Sequence, residues 1–268
     1  MLLALDVGNT NAVFGLFRLG ANGSETEVIT NWRITTPTEQ TVDEFCMLLR
    51  QMFDLRGLKT DAVTGVAISS VVPPLDSMMR KACEIHFGVK PLFIEPGVKT
   101  GLPILTDNPS EVGADRIVNC AAAFEQYGGP TIIVDMGTAT TFDVVSKKGE
   151  FLGGAIAPGL GISAGALFAR AARLPRIDIK KPAKVVGTNT VDNLQIGLYY
   201  GYIGLVDGIL ERMIAELGPE TKTVATGGLA RLIAGGSKFI AVVDEMLTLN
   251  GLRIIYERSL DKSRRRGA

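Results

Sequence analysis

The feature that most constrains this chain is a phrase it uses twice. Residues 2–17, "LLALDVGNTNAVFGLF", read as an apolar strand, then Asp6, Gly8 and a polar turn, then a second apolar strand. Residues 132–145, "IIVDMGTATTFDVV", repeat that plan, with Asp135 on Asp6 and Gly137 on Gly8, at an offset close to half the chain length. Each phrase predicts a β-hairpin whose turn interrupts an otherwise buried pair of strands. Their spacing predicts two related α/β halves. The chain has 268 residues, a length that suits one large α/β domain or two of ordinary size. No low-complexity linker separates the halves, so the boundary is placed beside Gly128 and Gly129, giving domains of 1–128 and 129–268.

The rest of each half alternates strand and helix signals. Residues 31–35 read as a strand, and residues 41–53 carry apolar side chains at helical spacing. Residues 63–72, "VTGVAISSVV", form a buried strand ending in Ser69 and Ser70, closed by Pro73 and Pro74 before a helix over 77–87. In the second half, "FLGGAIAPGLGISAGAL" reads as a glycine-rich connection and 193–217 as a helix. Residues 223–225 read as a brief strand leading into a third glycine turn, Thr226-Gly227-Gly228.

Bulk properties exclude several classes of function. Lysine plus arginine (28) equals aspartate plus glutamate (28), and no basic stripe runs along the chain, so nucleic acid is not an expected partner. Every apolar run is broken well short of the roughly 18 residues a membrane span needs, so no membrane association is expected. The amino-terminal apolar run leads straight into Asp6 rather than a cleavage site, and the expected compartment is the cytoplasm. Cys46, Cys83 and Cys120 are widely spaced and read as small buried hydrophobes. The basic stretch over 262–266 reads as a solvated end without a function.

The turn chemistry has two readings. Gly8 lets the backbone approach a ligand, and the amides with Asn9, Thr10 and Asn11 offer donors to phosphate oxygens, while Asp6 at the strand end could hold Mg²⁺ through water. The alternative is an ordinary hairpin stabilised by Asp and Asn, and it is the duplication that favours the phosphate reading. Neither G-x-x-x-x-G-K-[ST] nor G-x-G-x-x-G between a strand and a helix occurs, so ATP would have to be bound by the paired hairpins.

Residues 107–128, "DNPSEVGADRIVNCAAAFEQYG", predict a helix capped by Asn108, with Pro109 first, Glu111 third after the cap, and Gly113 inside it. Asp115 and Arg116 stand early in that helix, where they could act on one polar substrate or form an exposed ion pair. "GISAG" over 161–165 matches a nucleophile elbow, but its preceding segment reads as a loop and the only histidine, His86, precedes it, so neither is assigned to catalysis.

Taken together, "DVGNTN", "NPSEVGADRIVNC", "DMGTATTFDVV", "GGAIAPG" and "GTNTVDNLQIGLYYGYIG" resemble the type III pantothenate kinase family of the actin, sugar kinase and Hsp70-like superfamily, across most of the chain and in the family's order. The resemblance implies an α/β fold of two duplicated ribonuclease H-like domains with a nucleotide cleft between them, and a homodimer. It implies transfer of the γ-phosphoryl of ATP to pantothenate, giving 4′-phosphopantothenate, the first step toward coenzyme A. By the same resemblance, Asp6, Val7, Gly8, Asn9, Thr10, Asn11, Ala12 and Val13 match the ATP phosphate site, with Asp6 near Mg²⁺ and Thr138 a further ATP contact. Gly113, Ala114, Asp115 and Arg116 match the pantothenate site, with Asp115 the catalytic base, Arg116 holding the substrate's polar end and Thr190 a further contact. Asp135 matches the ligand of a monovalent cation, K⁺ or NH₄⁺. The chain departs from the family pattern at Thr106, which stands where relatives carry a Tyr, keeping a hydroxyl and losing the ring. Two competing readings are a kinase of the same superfamily acting on another small alcohol or acid, and a nucleotide-binding regulator without kinase activity.

Overall fold

A computed structural model describes residues 1–20, 25–171 and 173–266, with side chains described through Leu260. The basic side chains over 262–266 therefore lie outside the described residues. Contacts divide the chain into two compact units: Met1–Leu102, Asn108–Ala122 and Thr248–Ala268 form the first, and Pro103–Asp107 with Ala123–Leu247 form the second. These units differ from a single cut at 128/129, because the last helix groups with the first unit, and residues 103–107 and 123–128 group with the second.

The first unit opens with β1 (Leu2–Val7), β2 (Asn11–Arg18) and β3 (Glu27–Thr35), then α1 (Val42–Asp54), β4 (Gly65–Ser70), α2 (Pro73–Phe87) and β5 (Leu92–Phe93). Then α3 (Ala114–Tyr127) begins in it. The second unit contains β6 (Thr131–Met136), β7 (Ala139–Val145), β8 (Phe151–Pro158), α4 (Leu160–Arg170), α5 (Thr190–Leu217), β9 (Lys222–Thr226), α6 (Ala230–Ala234) and β10 (Val242–Val243). The chain then enters α7 (Leu247–Arg266).

The two sheets have one topology. Their strand orders are β3-β2-β1-β4-β5 and, read from the other edge, β8-β7-β6-β9-β10. In each, the hairpin strands pair antiparallel and the two later strands add in parallel on the far side of the first. The hairpins read from sequence are β1–β2 and β6–β7. They close differently: Val7 pairs with Ala12, and Met136 with Thr140, so the second turn is one residue shorter.

Alternation along the strands separates two faces. In the first sheet Leu3, Leu5, Val7, Phe14, Leu16, Val66 and Ile68 point into a core completed by Phe45, Leu49 and Phe53 of α1 and Met79 and Cys83 of α2. The capping box on α1, in which Thr41 and Glu44 bond each other's backbone, fixes where that helix starts. On the opposite face α7 packs closely against β2 and α3. A Cβ on Gly15 would lie 2.9 Å from Leu249, and one on Gly251 would lie 2.3 Å from the Val118 carbonyl of α3. In the second unit the core joins Ile132, Val134, Phe142 and Ala225 to Tyr199, Tyr202 and Val206 of α5. Cys83 and Cys120 are buried and Cys46 is half-buried against the first core, as expected of small hydrophobes.

Two sequence expectations are corrected. The segment read as a glycine-rich connection is the strand β8 followed by α4. Gly154 is needed for close approach, since a Cβ there would lie 1.8 Å from the Phe142 carbonyl oxygen across the ladder. The GISAG serine, Ser163, therefore sits within α4 rather than on the turn that a nucleophile elbow requires. The second correction concerns Asn108. It caps a single 3-10 turn, Pro109–Glu111, after which Val112 is extended (φ −76°, ψ 120°) and α3 starts at Ala114. Gly113 stands outside that helix, its carbonyl accepting from the Ile117 amide at 3.2 Å.

Candidate active site

In the first unit the expected phosphate and substrate residues converge on one end of the sheet. Asp6 is the penultimate residue of β1, half-buried, and the turn beyond it exposes Asn9 and Thr10. The Gly8 amide donates to the Asn11 carbonyl at 3.0 Å, and the Thr36 hydroxyl donates to the Gly8 carbonyl at 2.5 Å, so the turn is braced by the residue that follows β3. A Cβ on Gly8 would sit 3.2 Å from that Asn11 oxygen, a tight fit that glycine avoids. Val7, Ala12 and Val13 lie in the strands on either side, with Val7 and Ala12 in the core and Val13 across from Asp6.

The start of α3 lies by the same strand ends. The Val71 amide donates to the Val7 carbonyl at 3.0 Å, and a Cβ on Gly113 would be 3.8 Å from Val71. The same Cβ would be 2.6 Å from Asp115 Oδ1, so Gly113 is glycine because the Asp115 carboxylate folds back over it. Asp115 Oδ1 accepts from the Arg116 amide at 2.8 Å. Burial pushes the Asp115 carboxyl above the ordinary aspartate range, against the opposing pull of that amide and of the Arg116 guanidinium. Asp115 thus combines a helix N-terminus, which favours its charge, with desolvation, which disfavours it more. A carboxylate with a raised pKa is a better proton acceptor than an ordinary one.

The second unit holds Asp135, Thr138 and Thr190. Asp135 is half-buried at the end of β6, directly across from Thr141 of β7 and Thr226 of β9. The third glycine turn bears on it: Gly227 has φ +93°, and a Cβ there would lie 2.6 Å from Asp135 Oδ1. Thr138 is exposed at the tip of the turn, and the Gly159 amide donates to its carbonyl at 3.1 Å. Thr190 is exposed in the first turn of α5, whose cap Asn189 accepts from the Asp192 amide at 2.9 Å. Thr106 is half-buried beside Gly153, its hydroxyl oxygen buried without a hydrogen-bond partner among the described residues.

Register adds two residues the sequence reading did not single out. Asp143, on β7, is fully buried, shares the Asp135 face of the sheet and accepts from the Thr141 hydroxyl at 2.9 Å. Ser69 of β4 is the parallel neighbour of Asp6 and is also fully buried. Both depend on cross-strand pairing, which local pattern does not reveal. His86 packs edge-on to Phe87, with ring centroids 4.8 Å apart, at the end of α2. Among the described residues no group of three His, Cys, Asp or Glu side chains is placed to hold a metal, and no helix is long and apolar enough to cross a membrane.

Two five-stranded sheets of one topology, each with an aspartate at the end of its first strand, define a chain with the actin and sugar kinase-like fold. Solved structures of that likeness include a protein described as a 2-dehydro-3-deoxygalactonokinase from Sinorhizobium meliloti. It has a TM-score of 0.56 at 14% identity, over 96% of both chains. A protein described as a Baf family transcriptional activator from Campylobacter jejuni has a TM-score of 0.59 at 20% identity, over 97% of this chain and 99% of that one. At such identities the likeness shows the fold alone. The family is set by sequence: the type III pantothenate kinase model matches residues 2–212. The type III pantothenate kinase of Acidobacterium capsulatum is 64% identical over 257 residues, covering 96% of this chain and 94% of that protein. The chain belongs to the type III pantothenate kinase family.

Proposed function

We infer that this chain moves the γ-phosphoryl group of ATP to the primary hydroxyl of pantothenate, with Asp115 as the general base. The observation that carries the assignment of the base is the partly desolvated Asp115 carboxyl at the start of α3, beside the strand ends that present Asp6 and its turn. In the reaction the pantothenate oxygen bonds to the γ-phosphorus as the bond to the β–γ bridging oxygen breaks, and ADP leaves. The hydroxyl proton passes to the Asp115 carboxylate. Arg116 would hold the polar end of pantothenate, with Gly113, Ala114 and Thr190 as further contacts.

Phosphoryl transfer through a loose transition state depends chiefly on position and charge. The exposed Asn9–Thr10 turn and Thr138 would hold phosphate oxygens in line with the substrate. A half-buried carboxylate at the mouth of a polar turn suits Mg²⁺, which binds one or two carboxylates and takes water and phosphate for the rest. Asp6 would hold that ion through water, and the ion, when bound, would neutralise phosphate charge. Asp135, with the Thr141 and Asp143 side chains on its face, would hold K⁺ or NH₄⁺. The repeated strand order supports two duplicated ribonuclease H-like domains.

A homodimer is supported by the surface of the second unit. Leu152 and Ile156 of β8 and Ile162 and Leu167 of α4 are exposed, and Gly197, Gly201 and Gly204 line one open face of α5. The function is tested by following ADP release with pantothenate, glycerol, hexoses or acetate as acceptor, with and without K⁺. Pantothenate alone should support turnover, and K⁺ should raise it. Faster turnover with another acceptor would assign a different substrate.

A further inference from the structure

Two consecutive serines end β4, and they are used differently. The Ser70 hydroxyl donates to Asp76 Oδ1 at 2.6 Å and accepts from the Val72 amide at 3.2 Å, so it is fully employed in joining the strand to α2. The Ser69 residue is fully buried, and its hydroxyl oxygen has no hydrogen-bond partner among the described residues. A buried hydroxyl left unpaired is destabilising in a folded chain, where alanine of nearly the same shape carries no such cost. Its placement is specific. Ser69 is the in-register parallel neighbour of Asp6, and directly paired residues of adjacent strands project to one face of the sheet. That face is the one away from the core of α1 and α2, because Leu5, Val7, Ile68 and Ser70 take the other side. The second unit repeats the arrangement, with Thr226 in register beside Asp135 and 2% exposed.

We propose that Ser69 is a positioning residue for Asp6: its hydroxyl donates to the Asp6 carboxylate when Mg²⁺ and nucleotide occupy the site, holding that carboxylate in the orientation that binds the ion's water. The proposal rests on the phosphate-site reading of Asp6. A hydroxyl one strand away is within reach of that carboxylate by rotation about a single side-chain bond, since neighbouring strands lie about 4.8 Å apart. It supplies a donor that stays out of solvent and leaves the carboxylate's other lone pairs to the ion. Groups that orient a metal-binding side chain commonly alter affinity by about 10–100-fold when removed.

The test compares Ser69→Ala, Ser69→Thr and Asp6→Asn with the parent chain. Four readouts are used: thermal denaturation without ligand, calorimetric binding of Mg·ADP, the Mg²⁺ concentration for half-maximal rate, and KM for Mg·ATP and pantothenate separately. Ser69→Ala should melt at the same temperature as the parent or higher. Its Mg·ADP affinity should fall and its Mg²⁺ requirement and KM for Mg·ATP rise by about tenfold, with KM for pantothenate unchanged. Ser69→Thr restores the hydroxyl and should restore these values. Ser69→Ala with parental Mg·ADP binding, beside an Asp6→Asn that has lost it, would overturn the role of Ser69 alone. Lower thermal stability with both KM values moving together would overturn it in favour of a packing role. Parental Mg·ADP binding in Asp6→Asn would overturn this proposal and the phosphate-site reading together.

Discussion

The two halves of the chain run through the same succession, three strands, helix, strand, helix, strand, helix, with an additional helix in the second, yet they differ where chemistry is expected. In the first, Asp6 faces Val13 and Ser69, and the helix after the last strand opens with Asp115 and Arg116. In the second, Asp135 faces Thr141 and Thr226 with Asp143 on the same face, and α7 has no acidic residue in its first turn. One scaffold thus supplies a strand-end carboxylate twice. Only the first copy adds a partly desolvated carboxylate at a helix start, whereas the second surrounds its aspartate with hydroxyls and another acid. The first arrangement suits proton abstraction next to phosphate. The second suits a weakly hydrated cation that takes several neutral or anionic oxygens.

The largest expected effect breaks this contrast at the helix start. Asp115→Asn keeps the shape and removes the base, so turnover should fall by about 10²–10⁴ while calorimetric ATP binding stays near the parent value. Because burial raises the Asp115 pKa, its base form accumulates only as pH rises through that raised value, and the acid limb of the parent rate profile should lie above the ordinary aspartate range. The same shift has a stability sign. A carboxyl whose folded pKa is raised favours folding most below its unfolded pKa, and that advantage is lost as pH rises through the folded pKa. Asparagine carries no charge to desolvate, so Asp115→Asn should melt no lower than the parent at neutral pH. Unchanged turnover would remove Asp115 from the mechanism.

Next in size is a paired substitution at the equivalent aspartates. Asp6→Asn should raise the Mg²⁺ and Mg·ATP requirement by roughly 10–100-fold, and Asp135→Asn should raise the K⁺ requirement by a similar factor with the Mg²⁺ response retained. The measurement is rate against each cation at saturation of the other. If both variants lose the same response, the two copies do one task and the contrast fails.

How much of this was legible in the chain depends on distance along it. The hairpins were readable because two apolar runs around a polar, glycine-containing turn are local signals. The strand β8 was not, because Gly154 is required by contact with β7 and Gly153 by its φ of +115°, and both look like loop residues when the sheet is unknown. The start of α3 was misplaced because Asn108, Pro109 and Glu111 meet the chemistry of any helical first turn, including the 3-10 turn that they form here. Asp115 and Arg116 were singled out regardless, since the resemblance lay in their motif rather than in the helix boundary. Ser69 and Asp143 acquire significance only from strand register, which places them beside Asp6 and Asp135 from far along the sequence.

Glycine substitutions sharpen the comparison at the turns. Gly227 combines φ +93° with a Cβ position 2.6 Å from Asp135 Oδ1, whereas a Cβ on Gly137 meets only ordinary contacts of 3.5 and 3.7 Å. Gly227→Ala should therefore cost about 1–3 kcal/mol and weaken the K⁺ response, while Gly137→Ala should leave both nearly unchanged. Thermal denaturation with and without K⁺ separates the two. Equal losses from both would show that turn shape, and not contact with Asp135, governs the site.

The smallest expected effect concerns the open face of α5, which the first unit has no counterpart for. Glycine inside a helix is less favourable than alanine by about 0.5–1 kcal/mol, and a Cβ on Gly201 meets nothing within 4 Å in the single chain. If that face stays open, Gly201→Ala should raise the melting temperature and leave the sedimentation coefficient unchanged. If it is where two copies meet, a small residue is there because the facing backbone approaches closely, and the same substitution should forfeit the gain. Gly201→Leu should then shift sedimentation toward the monomer, with each unit's secondary structure intact by circular dichroism. A parental sedimentation profile in the leucine variant would rule this face out as a contact between copies and leave the glycines of α5 as exposed helix residues.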